Sequence, residues 1–191
     1  MLRNPHIQSI LNSLGPRKIR AKRLAKQLDS EVITLTAKDG TRLLAEYDRS
    51  KTANNSLIVL LHGWEGSSKS AYQVTTANYL LKQGFDVLRL NLRDHGESHH
   101  LNFELFNSTM TNEVAEAIAC FLETHPYDKR FLAGFSLGGN FTLRIAADHG
   151  TTLKLTAAAG ICPPVDPTNA MTALGNTLFI YERYFFYRWS K

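Results

Sequence analysis

The sequence predicts an α/β fold, a mainly parallel sheet with helices on both faces, and three observations carry that prediction. Uninterrupted apolar runs such as Leu57-Ile58-Val59-Leu60-Leu61 mark strands buried on both sides. Segments with apolar residues at helical spacing separate these runs. The 191 residues are 43% hydrophobic and 20% charged, ordinary values for one globular domain with a proper core.

The elements follow in order. Glu31 to Thr36 alternates Val32, Ile33 and Leu35 with polar residues, and Leu43 to Tyr47 follows across Lys38-Asp39-Gly40-Thr41. Asp-Gly between two such runs predicts a β-hairpin, because glycine tolerates the positive φ of a tight turn. Leu57–Leu61 is the first strand of the parallel type. Ala71, Val74, Asn78 and Leu81 then recur at helical spacing, with Gly84 able to end that helix. Phe85 to Leu92 reads as a second buried strand. Asn112 to Thr124 reads as a helix with Val114, Ile118, Phe121 and Leu122 on one stripe, closed by His125-Pro126. Arg130 to Phe135 is a third strand, Leu137 to His149 a helix and Leu153 to Cys162 a fourth strand. Such alternation calls for right-handed βαβ units. Pro163-Pro164-Val165-Asp166-Pro167 breaks the pattern, and the rest is helical in tendency and aromatic from Phe179 to Trp189.

Composition excludes several classes. The N-terminus lacks the apolar core of a secretory signal, and no run approaches the roughly 20 apolar residues needed to span a bilayer. Cys120 and Cys162 suggest neither a disulfide framework nor a metal site. A cytoplasmic protein is the simplest expectation. The net charge of +5 is uneven, with Arg17, Lys18, Arg20, Lys22, Arg23 and Lys26 close together. Such a cluster could bind nucleic acid or an anionic membrane surface. No aromatic stacking residues accompany it, so we read a solvated face of a short helix with Ile19 and Leu24 turned inward; nucleic acid is not expected, and peripheral membrane contact stays open.

Gly134-Phe135-Ser136-Leu137-Gly138 has the spacing of a nucleophile elbow, G-x-S-x-G. A serine hydroxyl that must stand clear of the sheet needs a turn so sharp that the serine backbone is strained. Glycines two residues before and after leave room for that turn. The pattern arises by chance in roughly one random chain of this length in fifteen, so its context decides. Here the serine sits where a buried strand gives way to a helix, whose N-terminus aims its dipole and N–H groups at the reacting oxygen. His62-Gly63-Trp64-Glu65-Gly66 follows the first parallel strand, where a loop N–H joins that of the residue after the nucleophile in an oxyanion hole. Trp64 and Leu137 are the expected donors, with Gly63, Gly134 and Gly138 in support, and His62 is expected to shape its loop through hydrogen bonds. Asp94, His95 and His99 invite a metal reading, but Gly96 breaks the helix that would align the two histidines, so no metal is expected.

Arg3-Asn4-Pro5-His6-Ile7-Gln8-Ser9-Ile10, His62-Gly63-Trp64-Glu65-Gly66-Ser67, Arg93-Asp94-His95-Gly96-Glu97-Ser98, Gly134 to Asn140 and Cys162-Pro163-Pro164-Val165-Asp166 stand in an order that resembles the YheT-like hydrolases of the α/β-hydrolase superfamily. The resemblance covers essentially the whole chain. It implies an esterase or lipase acting on short- to medium-chain acyl esters, with Ser136 as nucleophile and no cofactor. It also implies a longer protein, in which residues 1–165 form the N-terminal part of the hydrolase core and residues 166–191 begin a helical cap.

Triad partners in this fold come in the order Ser, then Asp or Glu, then His. After Ser136 the only histidine is His149. It would stand about 18 Å away, at 1.5 Å per helical residue, and cannot be the base. The acids Asp148, Asp166 and Glu182 complete no triad without a later histidine. The expectation is a truncated serine ester hydrolase. A catalytically inactive fragment with at most a binding role is the alternative, and surface binding through Arg17–Lys26 a further one.

Overall fold

The computed structural model describes residues 16–175 and 183. The Asn4-Pro5-His6-Ile7-Gln8 motif and the aromatic run from Phe179 to Trp189 lie outside the described residues. In chain order the elements are α1 (Pro16–Ala25), β1 (Glu31–Thr36), β2 (Arg42–Asp48), β3 (Ser56–Leu61), α2 (Ala71–Lys82), β4 (Asp86–Leu90), α3 (Thr111–Thr124), β5 (Lys129–Phe135), α4 (Leu137–His149), β6 (Ala157–Ile161) and α5 (Pro167–Gly175).

Six strands form one sheet in the order β1-β2-β4-β3-β5-β6. The hairpin pairs β1 with β2 antiparallel, and Gly40 takes φ +89° in its turn. β2 joins β4 antiparallel, while β4, β3, β5 and β6 run parallel to one another. The four strands expected to be parallel neighbours are therefore so.

Period-two alternation along β3 explains why its whole length is apolar. Leu57, Val59 and Leu61 enter a core with Val114, Ile118 and Phe121 of α3 and Phe141 and Ile145 of α4. Ile58 and Leu60 enter a second core with Ala77 of α2 and Val87. Helices thus cover both faces. Phe141 and Ile145 are wholly buried, each contributing roughly 1.5–3 kcal/mol by leaving water. Among the described residues no helix is long and apolar enough to cross a membrane.

Two readings need correction. The fourth parallel strand starts at Ala157, not Leu153: Leu153 is buried in the core while the chain turns, with Lys154 at φ +52° and Leu155 N–H donating to Gly150 O at 2.9 Å. In α1, which packs against α2, Ile19 is 65% exposed and Ala21 is the buried residue.

One charged group sits inside the sheet. Arg89, 1% exposed on β4, pairs with Glu46 at 2.7 Å and Asp48 at 2.9 Å. It also donates to the Ser68 carbonyl at 2.8 Å. A buried guanidinium is tolerated only when paired and hydrogen-bonded in this way. The last of these bonds ties the sheet to the loop after β3.

Candidate active site

Ser136 stands between β5 and α4 with φ 54° and ψ −118°, a conformation costly for any residue with a Cβ. Its N–H donates to Ile161 O at 2.9 Å, and its carbonyl accepts from Asn140 N–H at 3.0 Å. The residue is exposed at the C-terminal ends of the parallel strands, the usual place for a site in an open α/β sheet. Leu137 is the first residue of α4, where N–H groups have no partner within the helix.

The glycines around Ser136 are sterically required. A Cβ on Gly134 would stand 2.1 Å from Gly138 O, and one on Gly138 would stand 2.3 Å from His62 O. Strand, elbow and the loop after β3 meet here with no space for a methyl group. The same packing sets Gly63 against the serine, since a Cβ there would lie 3.1 Å from Ser136 Cβ.

His62 is fully buried. Its Nε2 accepts from Leu92 N–H at 3.0 Å and its Nδ1 meets Gly63 O at 2.7 Å. A carbonyl can only accept, so the proton is on Nδ1 and the ring is neutral. Burial, reinforced by the neighbouring His95 ring, pushes its pKa down to about 3. Trp64 is half-buried and lines a cavity of about 870 Å³ between the loops after β3 and β4.

Sequence reasoning missed the anchors of this loop. Tyr72 Oη accepts from Gly63 N–H at 3.0 Å, and Asn91 Oδ1 accepts from Ser68 N–H at 2.7 Å. Arg89 left a signal, an arginine inside the apolar run Val87-Leu88-Arg89-Leu90; Tyr72 and Asn91 left none.

Asp94 and His95 are both held by the backbone of their own loop region. Asp94 Oδ2 accepts from Phe106 N–H at 2.6 Å, and His95 Nδ1 donates to Arg93 O at 2.7 Å. Arg93 itself is tied into a buried pair with Glu113 at 2.6 Å. His149 sits at the far end of α4, with its Nε2 2.9 Å from Asn112 Oδ1. Among the described residues no imidazole is within hydrogen-bonding distance of Ser136 Oγ.

A mainly parallel sheet with a serine held at positive φ between strand and helix defines an α/β protein with a sharp strand-to-helix elbow. Residues 56–187 match the family model described as the alpha/beta hydrolase fold, and the chain belongs to that family. Among sequence relatives, it is 29% identical over 122 residues to the medium-chain fatty acid ethyl ester synthase/esterase 2 of Saccharomyces cerevisiae, covering 63% of this chain and 27% of that one. It is 34% identical over 93 residues to the AB hydrolase superfamily protein YisY of Bacillus subtilis, covering 48% and 32% respectively. The chain therefore spans about a quarter to a third of the length of the curated relatives it matches. The fold is similar to that of the Pyrococcus furiosus esterase Pf2001, with TM-score 0.68, 19% identity and coverage of 83% of this chain and 59% of that one. It is also similar to XC6422 of Xanthomonas campestris, an α/β serine hydrolase without a lid, with TM-score 0.61, 24% identity and coverage of 72% and 62%.

Proposed function

We propose that this chain supplies the nucleophile and oxyanion hole of a YheT-like serine hydrolase that cleaves carboxylic esters of short- to medium-chain acids. Ser136 Oγ attacks the acyl carbonyl and loses its proton to a base, the N–H groups of Trp64 and Leu137 hold the developing oxyanion, and the ester C–O bond then breaks as that proton passes to the departing alcohol. The observation that carries the reading is the backbone of Ser136. A φ of 54° is sustained only where the surrounding packing imposes it, and the residue that bears it is exposed. Esterases among the sequence relatives and structural neighbours support the substrate class. Residues from Asp166 onward, which include α5, begin the cap.

With no imidazole beside Ser136 among the described residues, the hydroxyl stays protonated and weakly nucleophilic at neutral pH. Loss of triad members lowers rates by on the order of 10⁴ to 10⁶. The test therefore follows acylation rather than turnover. The 191-residue chain and its Ser136→Ala variant are incubated with p-nitrophenyl butyrate, with and without added imidazole as an external base, and the butyryl group is located by mass spectrometry. Slow acylation at Ser136 that quickens with imidazole is expected. A label spread over other residues, or equal labelling of the variant, would overturn the reading.

A further inference from the structure

Positive charge is confined to one end of this chain. Residues 1–28 contain seven lysines and arginines and no aspartate or glutamate, whereas the other 163 residues contain fifteen and seventeen. The net +5 of the protein therefore comes from its first 28 residues, and the remainder is net −2. α1 brings that charge to the surface. Lys18, Arg20, Lys22, Arg23 and Lys26 are all exposed, and among the described residues none of the five forms an ion pair. Lys26 follows the last residue of α1, and its N–H donates to Lys22 O at 3.4 Å, which continues the turn. Ile19, 65% exposed, sits in the middle of this cationic face. Lys22, Arg23 and Lys26 come three, four and seven residues after it, within roughly 60° around the helix. Ala21, 6% exposed, lies roughly 160° away on the covered side.

We propose that the outward face of α1 docks on an anionic lipid bilayer, with its cations at the level of the lipid phosphates and Ile19 entering between the headgroups. Anionic headgroups supply the counter-charge that the described residues do not give these side chains. Ile19 leaves water on docking, an apolar gain that a bilayer interface offers and a nucleic-acid backbone does not. Single-stranded nucleic acid calls for aromatic stacking platforms, and α1 has no aromatic residue. The net negative remainder of the chain is repelled by the same surface, so the charge division itself turns α1 toward the bilayer. A contact carried mainly by exposed charge is reversible and weakens as salt rises. Docking of this kind requires nothing of the ester-hydrolase reading and adds to it a surface from which lipid-borne esters are met.

Co-sedimentation of the 191-residue chain with vesicles tests it, using phosphatidylcholine alone and phosphatidylcholine with about 30% phosphatidylglycerol. At about 0.1 M salt the chain should partition into the anionic vesicles at least ten-fold more strongly than into the neutral ones, and the difference should vanish near about 0.5 M. Lys22→Glu combined with Arg23→Glu should lower that partition by about ten-fold or more. Ile19→Ser, which leaves every charge in place, should lower it by about three-fold, and Ile19→Trp should raise it. All three positions are exposed, so the variants should fold, as their circular dichroism will show. Ser136→Ala should partition as the parent does, which keeps this surface separate from the catalytic reading. Equal partition into the two kinds of vesicle, or indifference to the charge reversal, would overturn the proposal. So would an Ile19→Ser protein that partitions like the parent, since the face would then be a general site for polyanions. Binding to a single-stranded DNA oligonucleotide more tightly than to anionic vesicles of equal phosphate content would assign the face to nucleic acid instead.

Discussion

Gly63 and Ser136 face each other so closely that a Cβ on the glycine would lie 3.1 Å from Ser136 Cβ and 3.7 Å from Oγ. The same Cβ would lie 3.2 Å from Phe135 O. An alanine can be fitted there only if the loop and the elbow part by a few tenths of an ångström. Reacting geometry is sensitive to shifts of that order, whereas global packing is not. Gly63→Ala should therefore keep most of the fold's stability and lower imidazole-assisted acylation of Ser136 by on the order of ten-fold. At Gly138 the added Cβ would meet backbone, His62 O at 2.3 Å and Leu61 O at 2.6 Å, which cannot move aside. Gly138→Ala should cost about 3 kcal/mol of stability by the overpacking mechanism, read from urea denaturation. Equal effects of the two substitutions on stability would show that the elbow is not packed as described.

The strained backbone of Ser136 carries its own prediction. A residue with a Cβ at φ 54° and ψ −118° stores roughly 1–3 kcal/mol, whereas glycine reaches this region at little cost. Glycine gives back part of the gain through the larger entropy of its unfolded chain. Ser136→Gly should raise stability by about 1 kcal/mol, while Ser136→Ala, which keeps the Cβ, should leave it nearly unchanged. Thermal denaturation of the three proteins side by side decides it. A Ser136→Gly protein less stable than the parent would show that the elbow is unstrained.

What the sequence made legible were the features whose physical cause is local. Leu57–Leu61 could be read as a doubly buried strand because both of its faces meet apolar cores. The hairpin was readable because Asp39-Gly40 writes its turn into the residue types. The elbow was readable because a sharp strand-to-helix turn leaves no space for side chains at Gly134 and Gly138. Features set by tertiary contact were not. Which side of α1 faces inward depends on its docking against α2, so Ile19 was misplaced. The start of β6 depends on Leu153 leaving the sheet to fill the core. Tyr72 and Asn91 hold the loop after β3 through backbone groups, and such bonds leave no pattern in the sequence.

Acid should unfold this protein through His62. In the fold its two ring nitrogens are satisfied only in the neutral form, one donating to Gly63 O and the other accepting from Leu92 N–H. A second ring proton would be placed against that N–H and buried without water. Burial therefore holds the folded pKa at about 3, with the His95 ring a lesser cause, against 6.5 for an ordinary histidine. The sign follows from proton counting. Between these two values the unfolded chain binds a proton that the folded chain does not, so stability rises with pH across that window. It is fully present above about pH 6.5 and is lost as pH falls toward 3, by about 1.4 kcal/mol per pH unit for each such histidine. His95, also lowered mainly by burial, acts in the same direction. Glu113, raised by burial, opposes them over its own range. Urea denaturation from pH 7 to pH 5 should show stability falling by on the order of 2 kcal/mol or more over the lower part of that range. His62→Gln should be less stable than the parent at pH 7, having lost a packed ring, yet its stability should depend on pH less steeply by about one proton. An unchanged slope in that variant would mean that His62 titrates alike in the folded and unfolded chains, and that the buried neutral imidazole beside the elbow is not what acid attacks.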